Sequence, residues 1–242
     1  MTLRIAMWSG PRNVSTALMR AFGSRPDTVV CDEPLYAHYL KTTGLPHPLA
    51  ARIVREHEAD WRKVVAWLTG PLPEGKSVFY QKHMAHHLTP DVDRAWLDEL
   101  ENVFLIREPR AMLTSLLEKL DDPGLLDTAL PQQVELFERQ RDRTGETPVV
   151  IDSRELLTDP PAILARLCEH VGLAYSSDML SWEPGLHPSD GVWAEYWYGN
   201  ALASTGFAPY RAKHASVPPA KEELAQQCDE LYARLAPYRL TA

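Results

Sequence analysis

Cysteine is scarce in this chain of 242 residues: only Cys31, Cys168 and Cys228 occur, far apart and odd in number. With no C-x-x-C pair, neither a disulfide framework nor a zinc knuckle is encoded, and a reducing cytoplasm is the expected setting. No apolar run approaches the roughly 18 residues of a membrane span, and no basic segment leads into an apolar core at the N-terminus. The expectation is a soluble, untargeted, cytoplasmic protein with no membrane partner. Positive charge is also short: the formal net charge is -8, which disfavours general nucleic-acid binding. Internal repeats and low-complexity tracts are absent. What is present is 45% apolar residues, enough for one α/β domain with a full core.

Short β-rich runs alternate with longer helical patterns. The runs are "LRIAMW" (3–8), "TVVC" (28–31), "SVFYQ" (77–81), "NVFLI" (102–106) and "PVVI" (148–151). Each is nearly continuous in apolar residues, as strands of a parallel sheet covered on both faces require. Helices are expected near 15–23, 50–69, 93–101, 110–120 and 130–144. Another starts at Asp159 as N-cap with Pro160 at N1 and stops at Gly172, and a last one runs through 218–235. The expected fold is a single α/β domain over 1–242, three layers deep, with a central, mostly parallel sheet of about five strands flanked by helices. Residues 182–218, rich in Trp, Tyr, Gly and Pro, break the pattern and read as a lid or functional loop.

The first strand feeds "SGPRNVSTALMRAF", a tight loop opening a helix. A Walker A loop needs G-x-x-x-x-G-K-[ST], and here the second glycine, the lysine and the magnesium hydroxyl are displaced or missing. The loop still carries what a phosphate needs. Arg12 offers a permanently charged fork of donors. Ser15 and Thr16 place hydroxyls at a helix N-terminus, where free N–H groups and the dipole favour an anion. Read structurally, the same residues are a strand–turn–helix junction with Ser15 as N-cap.

The segment resembles the first phosphosulfate-binding loop of sulfotransferases, P-[KR]-[ST]-G-[ST]-[ST], with Pro11, Arg12, Asn13, Val14, Ser15 and Thr16 in the six positions. Asn13 stands where a hydroxyl residue is usual and Val14 where glycine is usual; valine makes a positive φ there unfavourable. A second element, "VFLIREPRAMLTSLLEKL", is similar to the R-x7-S element of that family. By this resemblance Arg107 and Ser115 bind the 3′-phosphate of the donor, through parallel charge-assisted bonds and a hydroxyl. The family's late R-K-G triplet has no counterpart. Arg211 and Lys213 stand in that region, with Trp193 or Trp197 available to stack on adenine or an aromatic acceptor. The plainer reading is that these aromatics pack a lid onto the core.

The resemblance implies a P-loop NTPase-like sulfotransferase fold and a reaction. A sulfuryl group would pass in line from 3′-phosphoadenosine 5′-phosphosulfate (PAPS) to a hydroxyl or amine of a small-molecule acceptor, releasing PAP, with no metal required. Arg12 would stabilise charge on the leaving oxygen. Glu33, in "TVVCDEPLYAHYL", is the first candidate base, at a strand end expected beside the first loop; a glutamate at this spacing is the presumed base of tyrosylprotein sulfotransferases. Asp32 or Glu33 could instead cap the following helix, with Pro34 at N1. His83 is the second candidate base, because Gln81, Lys82 and His83 fall on the K-T-H motif of cytosolic sulfotransferases, and Lys82 could approach the sulfonate. If 83–87 is helical, His83, His86 and His87 share one face, although no fourth metal ligand is evident. Two other functions remain open: a non-catalytic nucleotide-binding protein of this fold, and a magnesium-dependent P-loop NTPase or kinase with Asp32 as its metal carboxylate. Acceptor identity and oligomeric state are not encoded in any pattern found.

Overall fold

All five apolar runs become strands. They are β1 (Leu3–Ser9), β2 (Thr28–Asp32), β3 (Val78–Met84), β4 (Glu101–Ile106) and β5 (Val150–Asp152). They form one five-stranded parallel sheet in the order β2-β3-β1-β4-β5. The structure, a computed structural model, describes residues 2–212 and 216–242. Lys213, one of the two basic residues expected to contribute late in the chain, lies outside the described residues. The chain falls into two compact units. One is Met1–Met7, Ser15–Glu101 and Ser176–Phe207; the other is Trp8–Val14, Asn102–Tyr175 and Ala208–Ala242.

In the first unit β2 and β3 pair in parallel with Cys31 opposite Gln81 and Asp32 opposite Lys82. Helix α1 (Ser15–Gly23) covers them, stacking Phe22 on Tyr80 at 4.3 Å between centroids. Helices α2 (Tyr36–Thr43), α3 (Ala50–Glu56) and α4 (Trp61–Leu68) follow. The run at 50–69, expected as one helix, is two. It breaks at residues 57–60 because Asp60 takes the N-cap role, accepting from the Arg62 N–H. Two aromatics of 182–218 serve the core of this unit. Trp193 and Tyr198 are buried in one cluster with Tyr36, Tyr39, Leu40 and Ile53, each full burial contributing about 1.5–3 kcal/mol. Gly191 permits this: a Cβ there would meet the Trp193 ring at 2.2 Å. Trp193 is therefore not free to stack on adenine.

In the second unit β4 pairs with β5 in parallel. Helix α5 (Pro109–Leu117) starts where Glu108 accepts from the Arg110 and Ala111 N–H groups, with Pro109 in the first turn. Helix α6 (Leu130–Thr144) follows. Next come α7 (Ser153–Thr158) and α8 (Pro160–His170), the latter capped by Asp159 and stopped before Gly172, which has φ +70°. Short helices α9 (Ala194–Trp197) and α10 (Gly199–Leu202) belong to the first unit. The last helix, α11 (Glu222–Leu235), packs Ala225 and Cys228 against Met112, Leu113, Leu116 and Leu130. The helix expected at 93–101 is a single 3-10 stretch, Ala95–Glu99, because Glu101 already belongs to β4.

Candidate active site

Three residues singled out in the sequence meet in the second unit. The loop after β1 begins at Gly10, where a Cβ would lie 2.6 Å from the Thr128 carbonyl oxygen, so no larger residue fits. Arg12 takes the left-handed conformation, φ +56°; Val14 is not among the positive-φ residues. The strain sits on the arginine rather than on the valine in glycine's usual place. Asn13 explains its own departure from a hydroxyl. Its Nδ2 donates to the Leu105 carbonyl at 3.0 Å and its Oδ1 accepts from the Val14 N–H at 2.9 Å, pinning the loop to the end of β4.

Arg12 Nε donates to Ser115 Oγ at 3.0 Å, and Arg107 Nη1 donates to the Arg12 carbonyl. Neither guanidinium is paired with a carboxylate among the described residues. Burial, and then the neighbouring charge of Arg12, depress the Arg107 pKa. Two neighbouring guanidinium groups, one of them bonded to the buried Ser115 hydroxyl, are chemically suited to an anion. Pro11, Arg12, Asn13 and Val14 belong to this unit, whereas Ser15 and Thr16 open α1 in the first unit and are buried there. Arg211, the other late basic residue, is exposed.

The first unit holds a buried ionic network. Lys82 Nζ donates to Asp32 Oδ1 at 2.7 Å, to Glu33 Oε1 at 2.6 Å and to the Tyr198 hydroxyl at 2.6 Å. All three ammonium hydrogens are taken, so Lys82 does not stand as a free cation for a sulfonate. Burial opposes its charge, but Asp32 and Glu33 outweigh that and push its pKa well above the usual value. Asp32 accepts from Tyr198 at 2.7 Å and from the Gly191 N–H at 3.3 Å. Its oxygens are committed to protein donors, unlike those of a Walker B carboxylate. Burial raises the Glu33 pKa, with Lys82 acting against that and Asp32 adding to it. A raised carboxylate is a better base. Glu33 is also strained, at φ +41°, and its N–H donates to the Lys82 carbonyl at 2.8 Å. Neither acidic side chain caps a helix: the N-cap of α2 is Leu35.

The sheet order corrects one expectation. Glu33 follows β2, an edge strand, and β3 lies between β2 and β1. β3 also runs further than the apolar pattern implied, so Lys82 and His83 lie inside it with Gln81 rather than after it. His83 is 1% exposed, bonded through Nε2 with Gln81 Oε1 at 3.2 Å. Burial, then Lys82, lower its pKa to about 3, leaving a weakly basic neutral ring. Because His83 is on a strand and Ala85–His87 is a 3-10 turn, the three histidines do not share a helical face. No group of metal-ligating residues occurs among the described residues. Tyr198 had no sequence signal of its own, and His87 was read only as part of a histidine face. His87 Nδ1 lies 3.9 Å from Glu33 Oε2.

A family model described as a sulfotransferase domain matches residues 3–235, and the chain belongs to that family. More particularly, it is similar in fold to the sulfotransferase domain from the Synechococcus PCC 7002 olefin synthase. The TM-score is 0.52 at 18% identity, covering 93% of this chain and 94% of that one. A sulfotransferase from Alicyclobacillus acidocaldarius gives TM-score 0.52 at 13% identity, covering 96% and 94%. Two Arabidopsis thaliana proteins named branched-chain-amino-acid aminotransferase-like protein 2 and 1 are 35% and 34% identical over 94% of this chain. The chain spans only 40% of the length of each. No helix among the described residues is long and apolar enough to cross a membrane.

Proposed function

We propose that the chain transfers a sulfuryl group from PAPS to a hydroxyl or amine of a small-molecule acceptor, releasing PAP. The observation that carries this reading is the uncompensated pair Arg12 and Arg107 beside Ser115, on the two elements where sulfotransferases bind their donor. Arg107 and Ser115 take the 3′-phosphate. Arg12, with Asn13, Val14, Ser15 and Thr16, takes the 5′-phosphosulfate. The acceptor oxygen or nitrogen attacks sulfur, the bond from sulfur to the bridging phosphate oxygen breaks, and the electron pair stays on that oxygen beside Arg12. Glu33 accepts the proton of the acceptor. Lys82 holds one oxygen of Glu33 and fixes its direction. Positioning and charge stabilisation supply the rate, as in phosphoryl transfer, and no step needs a metal.

The test is PAP release from PAPS in the presence of phenol as acceptor. Glu33→Gln is expected to lower turnover about 10²–10⁴-fold with PAP affinity unchanged. His83→Asn should retain most of it. Loss confined to the histidine variant would reverse the assignment of the base.

A further inference from the structure

Glu33 has two oxygens in very different circumstances. Oε1 is occupied by Lys82 at 2.6 Å and Tyr198 at 3.4 Å. Oε2 takes no hydrogen bond among the described residues. His87 Nδ1 lies 3.9 Å from it. His87 is 3% exposed, and its Nδ1 is itself buried without a partner. A buried unpartnered polar atom is costly, so one facing an unshared carboxylate oxygen is a feature to explain.

Neither group can turn away. The His87 ring stacks on Tyr36 at 4.4 Å and 7°, and lies 4.8 Å from Tyr39 and 4.4 Å from His86. Glu33 is fixed by its backbone bond to β3 and by Lys82. The gap of 3.9 Å is too wide for a direct bond and suits one bridging atom about 2.8 Å from each. Beside a carboxylate, the ring proton is favoured on Nδ1, where it faces negative charge; burial and the neighbouring histidines keep the ring neutral.

We propose that Glu33 Oε2 and His87 Nδ1 clamp the acceptor's nucleophilic oxygen, and that the acceptor is an alcohol or phenol rather than an amine. This rests on the reading of Glu33 as the base. A hydroxyl has one proton and two lone pairs. It gives the proton to Glu33, receives the His87 N–H on one lone pair and attacks sulfur with the other. A neutral amine has a single lone pair. If His87 donates to it, the nucleophile is blocked; if not, Nδ1 stays unpaired. The bond from His87 orients the oxygen, and proton transfer to Glu33 restores its nucleophilicity.

The experiment uses phenol and aniline as a matched pair, with the histidine ring nitrogens followed by ¹⁵N NMR, with and without PAP. Phenol should move the His87 Nδ1 signal, and aniline should bind about tenfold more weakly, the worth of one buried hydrogen bond. Asn places an amide donor near the former Nδ1, whereas Phe keeps the stacked ring and removes the donor. His87→Asn should hold phenol within about threefold, and His87→Phe should weaken it by about tenfold. Equal binding of the two probes, an unmoved His87 signal, or phenol retained by the Phe variant and lost by the Asn variant would overturn the clamp. PAP affinity is read in the same samples. Failure to bind PAP would count against the donor reading, while the phenol response still decides this one.

Discussion

Arg12 and Ser115 stand 103 positions apart in sequence and are joined by a 3.0 Å hydrogen bond, Nε to Oγ. Arg107 closes the other side of the loop by donating to the Arg12 carbonyl. The family loop and the R-x7-S element thus form one cluster rather than two separate anchors. Arg107→Ala should weaken PAP by about 10- to 100-fold, as loss of a charge-assisted phosphate contact implies. AMP, which lacks the 3′-phosphate, should lose about threefold or less. Calorimetry of both nucleotides checks this, and equal losses would refute the assigned role.

The Lys82 network makes a stability prediction. Lys82→Met leaves Asp32 and Glu33 buried without their cation, and removing one member of a buried ion pair costs about 3–5 kcal/mol. The urea midpoint should fall accordingly. A second change, Asp32→Asn, removes one of the stranded charges and should restore part of the loss. If Lys82→Met unfolds at the wild-type midpoint, the network is not a structural requirement.

The buried histidines set a pH dependence. His83 is held at about 3, and His87 also well below its usual value of 6.5, because burial disfavours the charged ring. The folded state resists protons that the unfolded chain accepts. The stabilisation is complete above 6.5 and is lost as pH falls toward 3, by about 1.4 kcal/mol per histidine for each pH unit. Glu33 acts in the opposite sense. Its raised pKa gives stability that is complete below 4.5 and lost as pH rises through the folded value. The histidines outnumber it between 6.5 and 4.5. The expected result is a lower urea midpoint at pH 5 than at pH 7, with a shallower slope in His83→Asn; equal midpoints at the two pH values would contradict it.

Much of this molecule was legible in sequence because continuous apolar runs of Val, Ile and Phe mark strands buried on both faces. Caps with a mechanism were legible too: Asp159, Pro160 and Gly172 bound α8 as read. Helix α2 shows in the sequence only through the capping role open to Asp32 or Glu33, because "YAHYLKTT" carries little local helix preference; it is held by the tertiary packing of Tyr36, Tyr39 and Leu40. The fate of Lys82 was not legible. Tyr198 lies 116 positions away, and only the parallel register that sets Asp32 opposite Lys82 brings the carboxylate to the amine. Charged residues inside strand-like runs, "VVCDE" and "FYQKH", were the available hint. The His87–Glu33 approach has no sequence counterpart at all.

On the proposed function, this loop holds a 3′-phosphorylated adenine nucleotide without magnesium. The most direct measurement is calorimetric titration of the purified chain with PAP and with ATP, each with and without magnesium. PAP is expected to bind tightly whether or not magnesium is present, and ATP more weakly in either condition. Preference for ATP with magnesium would contradict it.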